Sequence, residues 1–223
     1  MDLDGFSRSL GYRFTDPQLL LRALTHRSYG AAHNERLEFL GDSVLNCAIA
    51  LELYQKFPNL TEGELSRLRA SLVSQPSLAL VAAAARFGMH LRLGEGEVKS
   101  GGAQRPSMLA DAVEAVIGAA FLDGGFDAAH RIVVVLFGDP LRDIDPATAG
   151  KDAKTILQEL LQSRRLALPR YSVVATRGEA HEQVFEVECE IGELGIRTRG
   201  EGTSRRAAEQ CAAQAAYTEA ARA

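Results

Sequence analysis

The chain has 223 residues, 46% hydrophobic and 24% charged, with a formal net charge of −4, enough for one full core and a small second domain. No apolar run approaches the roughly 20 residues that span a membrane. The opening MDLDGFSRSLGY has two acids and no apolar centre, so no secretory signal is expected.

In chain order, Asp16-Pro17 reads as an N-cap and first-turn proline, with Leu19 to Leu24 continuing the helix. A second helix is predicted from Glu35 to Phe57, ending before Pro58. Thr61 opens a third, with Glu64 at capping-box spacing and Leu60 and Leu65 placed as a hydrophobic staple. Ser77 to Phe87, Met108 to Leu122 and Asp127 to Leu136 supply further helices, with a glycine-rich loop, LGEGEVKSGG, before the Met108 helix. No strand pattern precedes residue 165. DIDPATAGKD, Asp143 to Asp152, lacks apolar periodicity and reads as a linker. Beyond it the period changes. Lys154 to Ser163 is helical and Tyr171 to Thr176 is a short strand. Phe185, Val187, Cys189 and Ile191 alternate with three glutamates, and Leu194 to Arg199 is a third strand. Ser204 then caps an alanine-rich helix. The expectation is an all-α domain over 1–145, a linker over 146–151 and a small α+β domain of order α-β-β-β-α over 152–223.

Charge gives no basic domain. Residues 152–223 carry 10 Lys/Arg against 11 Asp/Glu, leaving residues 1–151 with 15 against 18 of the chain's 25 and 29. Any binding of nucleic acid must therefore be local. The three cysteines, Cys47, Cys189 and Cys211, form neither a zinc pattern nor a disulfide framework, so a reducing cytoplasm is the expected compartment.

Two helices each carry a pair of acids on one face. In DAVEAVIGAAFL, Asp111 and Glu114 at i and i+3 are the only charges in an otherwise apolar or small helix, which implies burial. Ala115, Gly118 and Ala119 let a second helix approach closely. In NERLEFLGDS, Glu38 and Asp42 stand at i and i+4, while Leu37, Leu40 and Val44 mark the core side. Buried carboxylates need cations or metal, and hard cations such as Mg²⁺ bind oxygen ligands. The alternative is ion pairing with Arg36, Arg67 or Arg69. Glu62, in the first turn beside Glu64, is a further candidate, with a helix-dipole role as its plainer explanation. His26 and His33 read better as helix-end and loop residues than as general bases. The Gly-Lys-Ser/Thr pattern is absent from the glycine-rich loop, so no nucleotide site is expected.

NERLEFLGDS closely resembles the signature of the ribonuclease III family, and THRS (25–28), LGEGEVKSGG (93–102) and ADAVEAVIGA (110–119) match in order and spacing. The resemblance implies that Glu38, Asp42, Asp111 and Glu114 hold a divalent metal, with Asp42 and Glu114 catalytic and Glu62 an outlying acid of the catalytic valley. It implies hydrolysis of double-stranded RNA, with Mg²⁺ as cofactor and Mn²⁺ able to substitute. The expected products have 5′-phosphate and 3′-hydroxyl ends with short 3′ overhangs. Expected substrates are structured ribosomal and messenger RNA precursors. The expected assembly is a homodimer, with Phe39 at its interface and no membrane partner.

The C-terminal order resembles the double-stranded RNA-binding domain, with GEGTSRRAAEQCAA (200–213) as its specific feature. Ser204 reads as N-cap, leaving Arg205, Arg206 and the helix N–H groups free to face phosphates. By resemblance, Thr155, Gln158 and His181 contact the minor groove. Glu209 stands where many such domains carry a lysine, which predicts modest affinity. The competing expectation is a non-catalytic double-stranded RNA-binding protein of the same fold; retention of all four carboxylates argues against it.

Overall fold

The structure is a computed structural model describing residues 2–179 and 183–222. It divides into two compact units, 1–149 and 150–223, so the division falls inside the predicted linker.

The first unit is helical: α1 (Leu3–Ser9), α2 (Pro17–Ala23), α3 (Glu35–Lys56), α4 (Glu62–Leu72), α5 (Gln75–Ala84), α6 (Glu95–Lys99) and α7 (Pro106–Asp143). Asp16 caps α2 by accepting from Gln18 N–H. The Thr61–Glu64 capping box on α4 is formed in both directions, an arrangement worth about 1 kcal/mol. Two features depart from the sequence reading. The helix α1, capped by Asp2 through Gly5 N–H, was not predicted, because its seven residues are too few to show a period. The glycine-rich loop contains α6. The two helices expected between Met108 and Leu136 are both present within Pro106–Asp143, separated by non-helical Gly124 and Gly125, where Gly125 has φ +73°. Asp123 fixes that break. Its carboxylate accepts from the Tyr12 hydroxyl at 2.7 Å and from Thr15 and Asp16 N–H at 2.7 and 2.8 Å. An isolated bridge pairs Thr25 with Arg92 where no extended pattern was read.

The helix α3 packs along α7 through two glycines. A Cβ on Gly41 would stand 1.7 Å from the Glu114 carbonyl oxygen, and one on Gly118 would stand 2.2 Å from that of Leu37. The helices thus touch backbone to backbone beside the predicted acids. Below this contact Leu45, Ala48, Ile49, Val113, Val116 and Ile117 are fully buried. Asp145 to Ala149 is not a free tether: the Arg67 guanidinium donates to the carbonyls of Pro146 and Ala149.

The second unit has α8 (Ala153–Ser163), β1 (Arg170–Arg177), β2 (Val184–Ile191), β3 (Ile196–Gly202) and α9 (Arg205–Ala220). The three strands form an antiparallel sheet in the order β1-β2-β3, with an irregularity between Val173 and Ala175. The third strand starts at Ile196 rather than Leu194, because Gly192–Leu194 is a 3₁₀ turn closed by Gly195 at φ +64°. Val187, Cys189 and Ile191 face a core completed by Leu157, Leu161 and the alanines of α9. Glu186, Glu188 and Glu190 pair on the wet face with Arg177, Arg197 and Arg199.

Candidate active site and nucleic-acid interface

The glycine contact between α3 and α7 sets Glu38 opposite Asp111 and Glu114. One carboxylate oxygen from each of the three lies within 4.8 Å of the others, and all three are half-buried. Among the described residues no ion pair reaches Glu38, Asp42, Asp111 or Glu114, and Arg67 is spent on backbone carbonyls. The ion-pair alternative therefore fails. Asp42 is exposed, outside the group of three, and its Oδ1 accepts from the Asn46 amide at 2.9 Å.

Electrostatics follow from this crowding. Burial, then the charges of Asp42, Glu38 and Asp111, push the Glu114 carboxyl up to about 7. Burial likewise raises Glu38, reinforced by Asp111, and raises Asp111, partly opposed by His26 and Arg27. Desolvated oxygens with no ion pair among the described residues fit a hard divalent ion.

Beside the acids lies a cavity of about 570 Å³ whose lining includes His26, Arg27, Asn34, Glu38, Glu97, Arg105, Ser107 and Asp111. Arg27 is held by Glu35 at 3.1 Å and Arg105 by Glu97 at 3.0 Å. The His26 Nδ1 lies 3.2 Å from the Ser28 backbone nitrogen and 2.8 Å from the Ser28 hydroxyl. Sequence reasoning assigned no role to Arg27, Glu97, Arg105 or Ser107. The signals for Arg27 and Glu97 were the THRS and LGEGEVKSGG segments, too short to show by period which side chains converge, while Arg105 and Ser107 lie in neither. His33 lies ahead of α3, its Nδ1 3.7 Å from Glu35. Glu62 is exposed on the first turn of α4, accepts from the Ser66 hydroxyl at 2.8 Å, and is not part of the acid group.

On the second unit a groove of about 660 Å³ is lined by Asp152, Lys154, Thr155, Gln158, Arg205, Arg206, Glu209 and Gln210. It brings together four of the predicted RNA-contacting residues. Ser204 caps α9, its hydroxyl accepting from Ala207 N–H at 3.2 Å. His181 lies outside the described residues. One expectation is corrected: Arg205 is not free. Its Nε donates to Glu209 Oε1 at 2.9 Å, because the two stand at i and i+4 on α9. Arg206 makes no ion pair among the described residues.

A helical unit with convergent acids, followed by an α-β-β-β-α unit with a polar groove of mixed charge, fits the nuclease-plus-RNA-binding class of protein. The Ribonuclease-III-like family model matches residues 16–139 and the Double-stranded RNA binding motif matches 153–219. The chain belongs to the ribonuclease III family and is an endonuclease of double-stranded RNA. It is 60% identical over 220 residues to Ribonuclease 3 of Ralstonia pickettii, covering 99% of this chain and 86% of the relative. Against Ribonuclease 3 of Thiobacillus denitrificans it is 61% identical over 212 residues, 95% of this chain and 94% of the relative. The crystal structure of the ribonuclease III nuclease domain from Campylobacter jejuni is similar at TM-score 0.59 and 42% identity, covering 63% of this chain and 96% of that one. A second structure of that domain, at 41% identity and TM-score 0.59, covers 61% of this chain and 97% of that one. Its description concerns flexibility in a region involved in dimer formation. Membership implies dependence on a divalent metal, which the acid group is chemically suited to hold. Among the described residues no helix is long and apolar enough to cross a membrane.

Proposed function

We propose that the 1–145 region cuts duplex RNA with Mg²⁺ held by Glu38, Asp42, Asp111 and Glu114, Mn²⁺ being able to replace it. The residues 152–223 present the duplex through Thr155, Gln158, His181, Ser204, Arg205 and Arg206. The observation that carries this is the convergence of three half-buried carboxylates. The chemistry supplied by the ion when bound is Lewis acidity toward a phosphoryl oxygen and a lowered proton affinity of nearby water. Glu114 Oε is protonated below about 7 in the ion's absence and gives up its proton as the site fills. Asp42, whose Oδ1 accepts from the Asn46 amide, would complete the ligand set from the exposed edge of the site. Glu62 shapes the acidic valley without joining the cluster.

The products are 5′-phosphate and 3′-hydroxyl ends with short 3′ overhangs, and the substrates are structured ribosomal and messenger RNA precursors in the cytoplasm. The active form is a homodimer. Phe39 is 80% exposed and Tyr54 72%, and with Cys47 and Leu51 they share one side of α3, a surface suited to burial by a second copy.

The test is incubation of long duplex and single-stranded RNA with Mg²⁺ or with excess chelator, followed by sizing and end-mapping. Cutting is expected only of duplex with Mg²⁺. Cutting in chelator contradicts the metal reading, and preference for single strands contradicts the substrate.

A further inference from the structure

We infer that Glu209 holds Lys154 and Arg205 away from RNA phosphates and so sets the affinity of the RNA-binding unit below what its cations could provide. The inference rests on the groove being the RNA-facing surface. Each Glu209 oxygen takes one cation: Oε2 lies 2.7 Å from Lys154 Nζ, and Oε1 lies 2.9 Å from Arg205 Nε. Glu209 itself is nearly covered, with 13% of its side chain exposed against 64% for Arg205. Lys154 is restrained further: its ammonium stands 4.4 Å from the Tyr171 ring centroid, and its backbone N–H donates to Gln210 Oε1. Arg206, on the same turn as Arg205, makes no ion pair among the described residues.

A phosphate approaching this groove meets two cations neutralised by Glu209 and a third, Arg206, that makes no ion pair among the described residues and whose charge is felt only at longer range by Asp152. At Arg205 Glu209 engages only Nε, so a phosphate can reach the remaining guanidinium N–H groups, but it meets a charge already offset by the carboxylate, with little net release of counterions. The carboxylate also repels the bound strand. The ion pairs also hold the Glu209 carboxyl below its ordinary range, led by the Lys154 hydrogen bond, so the restraint persists at neutral pH. The alternating glutamates of β2 likewise occupy Arg177, Arg197 and Arg199.

The test uses the full-length protein and a blunt RNA duplex in chelator, so that binding is read without cutting, across a series of salt concentrations. Glu209→Gln keeps the side-chain length and some hydrogen bonding but removes the charge. It is expected to tighten binding about fivefold at ~0.15 M salt and to steepen the logarithmic salt slope by about one unit, as one further phosphate contact would. In the native background Arg206→Ala is expected to weaken binding more than Arg205→Ala does. In the Glu209→Gln background the two losses become equal. Unchanged or weaker binding by a Glu209→Gln protein that melts normally overturns the inference. If that variant melts early, equal losses from Arg205→Ala and Arg206→Ala in the native background overturn it instead. An Arg206→Ala protein with unchanged affinity and slope would remove the RNA-facing reading of the groove, a failure distinct from that of Glu209.

Discussion

Glu114 shows what the site asks of single residues. Its carboxyl sits at about 7 because burial and three neighbouring acids oppose its charge. A group with a folded pKa above its ordinary 4.5 lends stability that is fully present below that value and is lost as pH rises through about 7. In chelator the melting temperature should therefore fall as pH rises across that interval. Mg²⁺ should stabilise the protein more as pH increases, levelling off above about 7. Calorimetry with and without Mg²⁺ across pH checks this, and a Mg²⁺ effect independent of pH contradicts it. The acids were legible because i,i+3 and i,i+4 spacing on apolar helices is a direct consequence of the 3.6-residue turn. The Lys154–Glu209 pair, 55 residues apart in sequence, was not legible, because only the packing of α8 against α9 brings it together.

At the scale of elements, the α3–α7 contact positions the acids. Gly41→Ala would drive a Cβ into the Glu114 carbonyl, and backbone cannot yield as a flexible side chain does. Thermal or denaturant unfolding should show a loss of about 1–3 kcal/mol, with Mg²⁺-dependent activity reduced further in whatever remains folded. Gly63→Ala on α4, where a Cβ meets nothing within 4 Å, should leave both unchanged. Equal effects at the two positions would show that the close approach does not matter. The main helices and strands were readable from periodicity and caps. The short α1 and α6 were not, since seven and five residues are too few to show a helical period.

As a whole molecule, the chain carries two hydrophobic cores, one in each unit, and an exposed apolar side on α3. A duplex has two strands related by local dyads, and a two-fold dimer with one acid site per subunit matches both. Phe39→Asp is expected to shift sedimentation toward monomer and to reduce cutting of both strands. An unchanged dimer would place the interface elsewhere. The most direct measurement of the central claim is cleavage and duplex binding on one preparation of Glu114→Gln. This variant keeps the side-chain size and removes the charge. Near-normal binding with cleavage lost at every Mg²⁺ concentration is the predicted result; near-normal turnover at saturating Mg²⁺ would contradict it.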